Sequence, residues 1–147
     1  MIQSANKSHL NEILDIEKIV FTKPWTREQL QNDLVSSANT ENWIYMEDQK
    51  VVGYILGCKV MDEFYLNNIA VHSDCHRRHI GWSLIEHVKN RLQSQNIQRI
   101  YLEVSGENIP AQQLYESMGF QKQGLRRDYY AKGEHAFLYH LNLVDND

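Results

Sequence analysis

The segment E-F-Y-L-N-N-I-A-V at residues 63–71, followed by H-S-D-C-H-R-R-H at 72–79, I-G-W-S-L-I-E-H-V-K-N-R-L at 80–92 and I-Q-R-I-Y-L-E-V at 97–104, decides how this chain folds. Its two ends, Glu63 to Val71 and Ile97 to Val104, are rich in β-branched and aromatic residues and read as strands. Between them, eight mostly polar residues from His72 to His79 precede a helix whose apolar positions are Trp82, Leu84, Ile85, Val88 and Leu92. A strand, loop, helix and strand in that order need a right-handed crossover, so the two strands are expected to lie parallel.

The flanking sequence supplies the rest of a sheet. On the N-terminal side, Leu10, Ile13, Leu14, Val20 and Phe21 step by three and four, with Glu17 as the exception, which predicts a helix over Ser8 to Phe21 ending before Pro24. Thr26 with Gln29 has the form of a capping box, and a second helix is expected from Arg27 to Val35, then a polar loop to Asn42. Trp43 to Met46 and Val51 to Val60 read as an antiparallel hairpin joined through the polar Glu47 to Lys50. On the C-terminal side, a loop over Ser105 to Asn108 leads to a helix from about Ile109 to Met118, ended by Gly119 in the place where a left-handed residue closes a helix. Phe120 to Gly124 and His135 to Leu143 read as two last strands joined by a basic and aromatic loop. The expected architecture is a single α/β (α+β) domain over residues 1–147, a mixed central sheet of six to seven strands flanked by about four helices.

Composition narrows the function classes. Of the 147 residues, 42% are apolar and 23% charged, enough for both a core and a solvated surface. The formal charge of −4, with no long run of basic residues, argues against direct nucleic-acid binding. No apolar run approaches the roughly 20 residues of a membrane span, so no membrane role is expected. Two cysteines, Cys58 and Cys75, do not make a disulfide scaffold, and the N-terminus lacks a signal-peptide pattern, so the expected compartment is the cytoplasm.

The turn from Asp74 to Trp82 is a candidate anion site. The first amides of a helix lack internal acceptors, and Arg77 and Arg78 add positive charge at the positive end of its dipole. The same loop holds His72, Cys75, His76 and His79 in an H-x2-C-H-x2-H spacing open to a metal reading; because those residues occupy the anion-binding turn, no metal is expected.

The segments N-I-A-V-x4-H-R-R-H-I-G-W-x-L, Y-L-E-V, N-x6-Y-E-S-M-G-F and R-R-D-Y-Y resemble the GCN5-related N-acetyltransferase superfamily. Together with Phe21, Pro24, Trp25 and Thr26 as F-x-x-P-W-[ST], they resemble its bacterial ribosomal-protein-alanine N-acetyltransferase type, over most of the chain from Glu17 to Leu143. The resemblance implies acetyl-CoA as cosubstrate, bound by the strand residues Ile69, Ala70 and Val71, the turn residues Arg77, Arg78, His79, Ile80, Gly81 and Trp82, and Asn108, which also fits an ordinary helix N-cap. It implies Glu103 as general base, with burial among apolar neighbours expected to raise its pKa, and Tyr115 as the acid toward the departing thiolate, although spacing alone places Tyr115 on a core face. It implies an acceptor groove at Phe21, Trp25, Tyr129 and Tyr130. The acceptor so implied is a protein N-terminus, the N-terminal alanine of a small-subunit ribosomal protein. Alternatives are a lysine, a small-molecule amine, or a weakly catalytic coenzyme-A-binding module. The last is prompted by the superfamily signature Q/R-x-x-G-x-G/A, whose first two fixed positions here carry His76 and His79. A side chain at His79 is expected to crowd the pyrophosphate or to force a positive φ.

Overall fold

In the computed structural model, residues 1–35, 37–75, 79–131 and 133–144 are described, with only the backbone of 128–131. The order of elements is β1 (Ile2–Ser4), α1 (Leu10–Val20), α2 (Arg27–Asp33), β2 (Thr40–Glu47), β3 (Lys50–Val60), β4 (Glu63–Val71), α3 (Ile80–Ser94), β5 (Arg99–Ser105), α4 (Ile109–Ser117), β6 (Gln121–Ala131) and β7 (Glu134–Asn142), with single 3-10 turns before α1 and α3. One seven-stranded sheet runs in the order β1-β2-β3-β4-β5-β7-β6. Of its strand pairs, β4 and β5 are parallel and the others antiparallel, as the crossover through α3 requires.

Local chemistry accounts for most boundaries. The Thr26 hydroxyl accepts from the Gln29 amide and the Gln29 side chain accepts from the Thr26 amide, so both partners of the capping box are formed at the start of α2. The Asn108 side chain accepts from the Ala111 amide at 3.2 Å and starts α4, while Gly119 follows its end at φ +93°. Between β2 and β3, Asp48 and Gln49 both take positive φ, the two-residue turn whose twist matches the flanking strands.

Helices cover both faces of the sheet. Leu10, Ile13, Leu14 and Ile16 of α1 and Leu30 of α2 pack on Ile44, Tyr54, Leu56 and Ala70. On the other face, Ile80, Leu84, Ile85, Val88 and Leu92 of α3 pack with Tyr115 of α4 on Ile55, Phe64, Ile100, Leu102 and Val104.

One strand was not anticipated, and two expectations are corrected. β1 is a three-residue strand with no periodic signal, and only its pairing with Trp43 to Tyr45 defines it. The segment read as a basic and aromatic loop is largely strand, because β6 runs to Ala131 and β7 resumes at Glu134. β6 is an edge strand, and its described side chains from Gln121 to Arg127 are mostly exposed, so that part carries polar and charged residues rather than an apolar period. Trp82, assigned to the apolar face of α3, is 43% exposed, and Ile80 takes the core position instead.

β4 changes phase in its middle. Phe64 and Leu66 face α3, and so do Ile69 and Val71. Strict alternation cannot satisfy both sets. The register supplies the missing residue: Gly57 pairs with Leu66 and Leu56 with Asn68, leaving Asn67 as the extra residue of a bulge. Beside the bulge, the fully buried Phe64 ring lies over Gly57, where an added Cβ would fall 2.1 Å from Phe64 Cζ and 2.8 Å from the Tyr65 carbonyl oxygen. Gly57→Ala is expected to lower the unfolding free energy by about 2–3 kcal/mol through overpacking. Urea denaturation measures this, and a variant as stable as the parent would show that the ring is free to move.

Candidate active site

The parallel ladder between β4 and β5 runs from Glu63 with Arg99 to Leu66 with Leu102 and is not continued beyond. The ladder therefore stops at the residue before the bulge, and past it β4 keeps β3 as its partner through Val71 with Gly53. An extra residue bends a strand and increases its twist, which carries β4 away from β5. The β5-facing edge of β4 after Asn67 then suits an extended molecule with its own amide groups, the way an added strand pairs with an edge. Ile69, Ala70 and Val71 lie on this segment, with Ile69 and Val71 toward α3 and Ala70 toward α1.

Glu103 is the residue of β5 just beyond the last pair. Leu102 and Val104 are buried against α3 and α4, so Glu103 projects to the opposite face. There it lines a groove of about 490 Å³ with Trp25, Tyr65, Asn67, Tyr101 and Arg126. The expected burial among apolar side chains is not found: the carboxylate is 30% exposed and pairs with the Arg126 guanidinium at 3.2 Å. Tyr65 and Tyr101, opposite one another in the ladder, stack with centroids 5.5 Å apart and form the floor. The Tyr65 phenol donates to Glu63 Oε2 at 2.9 Å, and that bond holds it protonated above the ordinary tyrosine range.

Tyr115 lies on the other face, 4% exposed, its ring 5.7 Å from Phe120 and 6.1 Å from Tyr139. Tyr139 is itself pinned by donation to Glu116 Oε1, and burial, then that bond, push its phenol up to about 12. These contacts make Tyr115 a fixed group. Glu103 of β5 thus projects from one face of the sheet while Tyr115 of α4 packs on the other, and the two faces meet where β4 parts from β5.

The turn into α3 accords with the anion reading in one respect and departs in another. His79 is the N-cap residue at φ 59°, ψ 24°, the left-handed conformation that glycine adopts cheaply, and its side chain does not cap the helix. The strain expected at this position is present. A Cβ at Gly81 would meet only ordinary contacts, 3.4 Å to Leu114 and 3.7 Å to Val71, so packing does not demand glycine there. A glycine spared by packing leaves backbone open to the close approach of a phosphate. Ile80 has only its backbone to offer a ligand, since its side chain is core, whereas the Trp82 ring is exposed beside the turn. Arg77 and Arg78, with His76, lie outside the described residues. Asn108 spends Oδ1 on its cap, so contact with a bound molecule falls to its amide nitrogen.

Of the predicted groove residues, Trp25 shares the cavity with Glu103, while Phe21 packs against the core between α1, α2 and the sheet. The side chains of Tyr129 and Tyr130 lie outside the described residues, their backbone being part of β6. Sequence reasoning missed Tyr65, Asn67, Tyr101 and Arg126. Tyr101 was readable, two residues before Glu103 and so on its face; Asn67 was signalled by the broken alternation; Arg126 arrives from a distant edge strand. Among the described residues no three His, Cys, Asp or Glu side chains group as metal ligands, and no helix is long and apolar enough to cross a membrane.

Residues 10–120 match the family model described as the Acetyltransferase (GNAT) family. The chain is 30% identical over 129 residues to the [ribosomal protein bS18]-alanine N-acetyltransferase of Escherichia coli (strain K12), covering 88% of this chain and 86% of the relative. It is 29% identical over 130 residues to the enzyme of the same name from Haemophilus ducreyi (strain 35000HP), covering 88% of each chain. The crystal structure of the ribosomal-protein-S18-alanine N-acetyltransferase from Escherichia coli superimposes with a TM-score of 0.92 at 28% identity, over 100% of this chain and 96% of that one.

His79→Gly is expected to raise the unfolding free energy by about 1 kcal/mol, the left-handed penalty less the added entropy of the unfolded chain. Chemical denaturation reads it. A loss of stability would mean that the imidazole makes a contact worth more than the strain.

Proposed function

Because this chain belongs to the acetyltransferase (GNAT) family, we propose that it transfers the acetyl group of acetyl-CoA to the N-terminal α-amine of a protein, the N-terminal alanine of a ribosomal protein by likeness to the enzymes it matches. The observation that carries this reading is the placement of Glu103, one residue beyond the end of the β4–β5 ladder and on the wall of the groove that Trp25 closes.

The reaction is direct transfer within a ternary complex. The edge of β4 at Ile69 to Val71 holds the pantetheine arm, and the turn at His79 to Trp82, with Arg77 and Arg78, holds the pyrophosphate. Asn108 adds a side-chain contact. The acceptor enters from the α1 and α2 face along Trp25, Tyr65 and Tyr101. Phe21 supports that wall, and Tyr129 and Tyr130 extend it. The amine nitrogen bonds to the thioester carbon as Glu103 takes its proton, through water where needed, and amides near Ala70 and Val71 stabilise the charge on the carbonyl oxygen. The carbon–sulfur bond then breaks. Tyr115 gives its phenolic proton to the thiolate, and solvent returns the proton held by Glu103 to Tyr115. No metal takes part.

The nucleophile is the neutral amine, which favours an acceptor that is easily deprotonated. An α-amine has a reference pKa of about 7.7–8.0 against about 10.4 for lysine, so its free-base fraction near neutrality is larger by roughly two orders of magnitude. An acidic chain of charge −4 also suits a basic protein partner in the cytoplasm.

Peptides with an N-terminal alanine, free or blocked, and each with an internal lysine, separate the readings. With acetyl-CoA, the acetyl group is expected on the free α-amine by mass spectrometry. Acetylation confined to lysine or to small amines overturns the proposal. Glu103→Gln is expected to lower kcat by about 10²- to 10⁴-fold, and Tyr115→Phe, which keeps the ring and removes the proton, to lower it by a comparable factor. Wild-type turnover in either variant removes that residue from the mechanism.

A further inference from the structure

Glu17 of α1 is 1% exposed and therefore an acidic side chain within the core. A carboxylate persists in such a place when hydrogen-bond donors replace its water. Three elements supply them. The Trp25 amide donates to Oε1 at 2.9 Å, the Asn68 side chain donates to Oε2 at 2.9 Å, and the Tyr54 hydroxyl donates to the same oxygen. Burial, and then the neighbouring carboxylate, hold the Tyr54 phenol well above its ordinary pKa, so it stays a donor at any working pH.

The partners matter by where they lie. Trp25 lines the groove beside Glu103. Asn68 follows the bulged Asn67, another groove residue, and opens the stretch of β4 beyond the β5 ladder. Tyr54 is on β3, opposite Ala70. One oxygen of Glu17 thus holds the connection between α1 and α2, and the other holds β3 and β4 at the bulge. Elsewhere that connection is tied by Lys23 to Glu134, an exposed pair at 3.0 Å that solvent screens. An apolar residue at position 17 would fill the volume while leaving three donors unmet.

We propose that Glu17 is a positioning residue for the acceptor: it sets the distance between the Trp25 wall and the bulged strand, and so the width of the groove in which the acceptor amine meets Glu103. This inference rests on the groove being the acceptor site. It reaches the cosubstrate only through Asn68, where the pantetheine edge of β4 begins, so its effect is expected mainly on the acceptor; the phosphate-binding turn lies across the sheet on α3.

The test is a kinetic split with the free N-terminal alanine peptide and acetyl-CoA. Glu17→Gln keeps the shape and turns a carboxylate oxygen into a donor that faces donors. Peptide KM is expected to rise about tenfold, with kcat within threefold and the acetyl-CoA dissociation constant within twofold of wild type. Tyr54→Phe removes one donor and leaves the carboxylate in place; it serves if Glu17→Gln does not fold, with an expected rise of about threefold. A structural role alone would lower the unfolding temperature and leave the ratio of the two substrates' constants unchanged, and that result overturns the proposal. If the wild type acetylates only lysine or small amines, the N-terminal reading falls, and Glu17 is judged by the same ratio measured on the amine that is used.

Discussion

The end of the parallel ladder between β4 and β5 is the constraint on which the rest of this structure depends. Sheets gain their stability from continuous pairing, and here pairing stops after Leu66 and Leu102 although both strands continue. The bulge at Asn67 explains how the molecule accommodates that stop. With one extra residue, β4 keeps its full set of partners on β3 while turning its other edge away from β5. Phe64 over Gly57 clamps one side of the bulge, and Asn68 bonded to Glu17 clamps the other. The opening is held by packing on one face and by polar contacts on the other.

Everything assigned to chemistry is arranged around that opening. α3 brings the turn at His79, Ile80 and Gly81 to one side, and α4 brings Tyr115, locked between Phe120 and Tyr139. The opposite face contributes Trp25, Tyr65, Tyr101 and Glu103. A sheet normally insulates its two faces. An opening between strands lets groups from both address one bond, which suits a reaction whose acceptor arrives on one side and whose leaving group departs on the other. The two faces also differ in kind, with the amides of a helix start on one and an aromatic groove on the other.

Much of this was legible in the chain itself. The periodicities of residues 10–21 and 80–92, the Thr26 and Asn108 caps and the β-branched runs at 63–71 and 97–104 define elements through neighbours three or four residues away or through simple alternation, and those signals are local. The N-I-A-V, Y-L-E-V and Y-E-S-M-G-F segments likewise carried the family, and with it the expectation for Glu103 and Tyr115. What local signals missed has one cause: Glu17 looked like a flaw in an apolar stripe because its three donors come from Trp25, Tyr54 and Asn68, the last of them 51 residues away. The burial expected for Glu103 failed similarly, since the neighbours of a strand residue in sequence point to the other face and its real surroundings are Arg126 and solvent. The short β1 and the polar β6 exist only through their partners. Sequence alone determined the locally periodic elements, their crossover and the family; tertiary structure alone decided the strands β1 and most of β6, which face each side chain joins and what satisfies its polar atoms, because pairing, burial and hydrogen bonding are set by residues far apart in the chain.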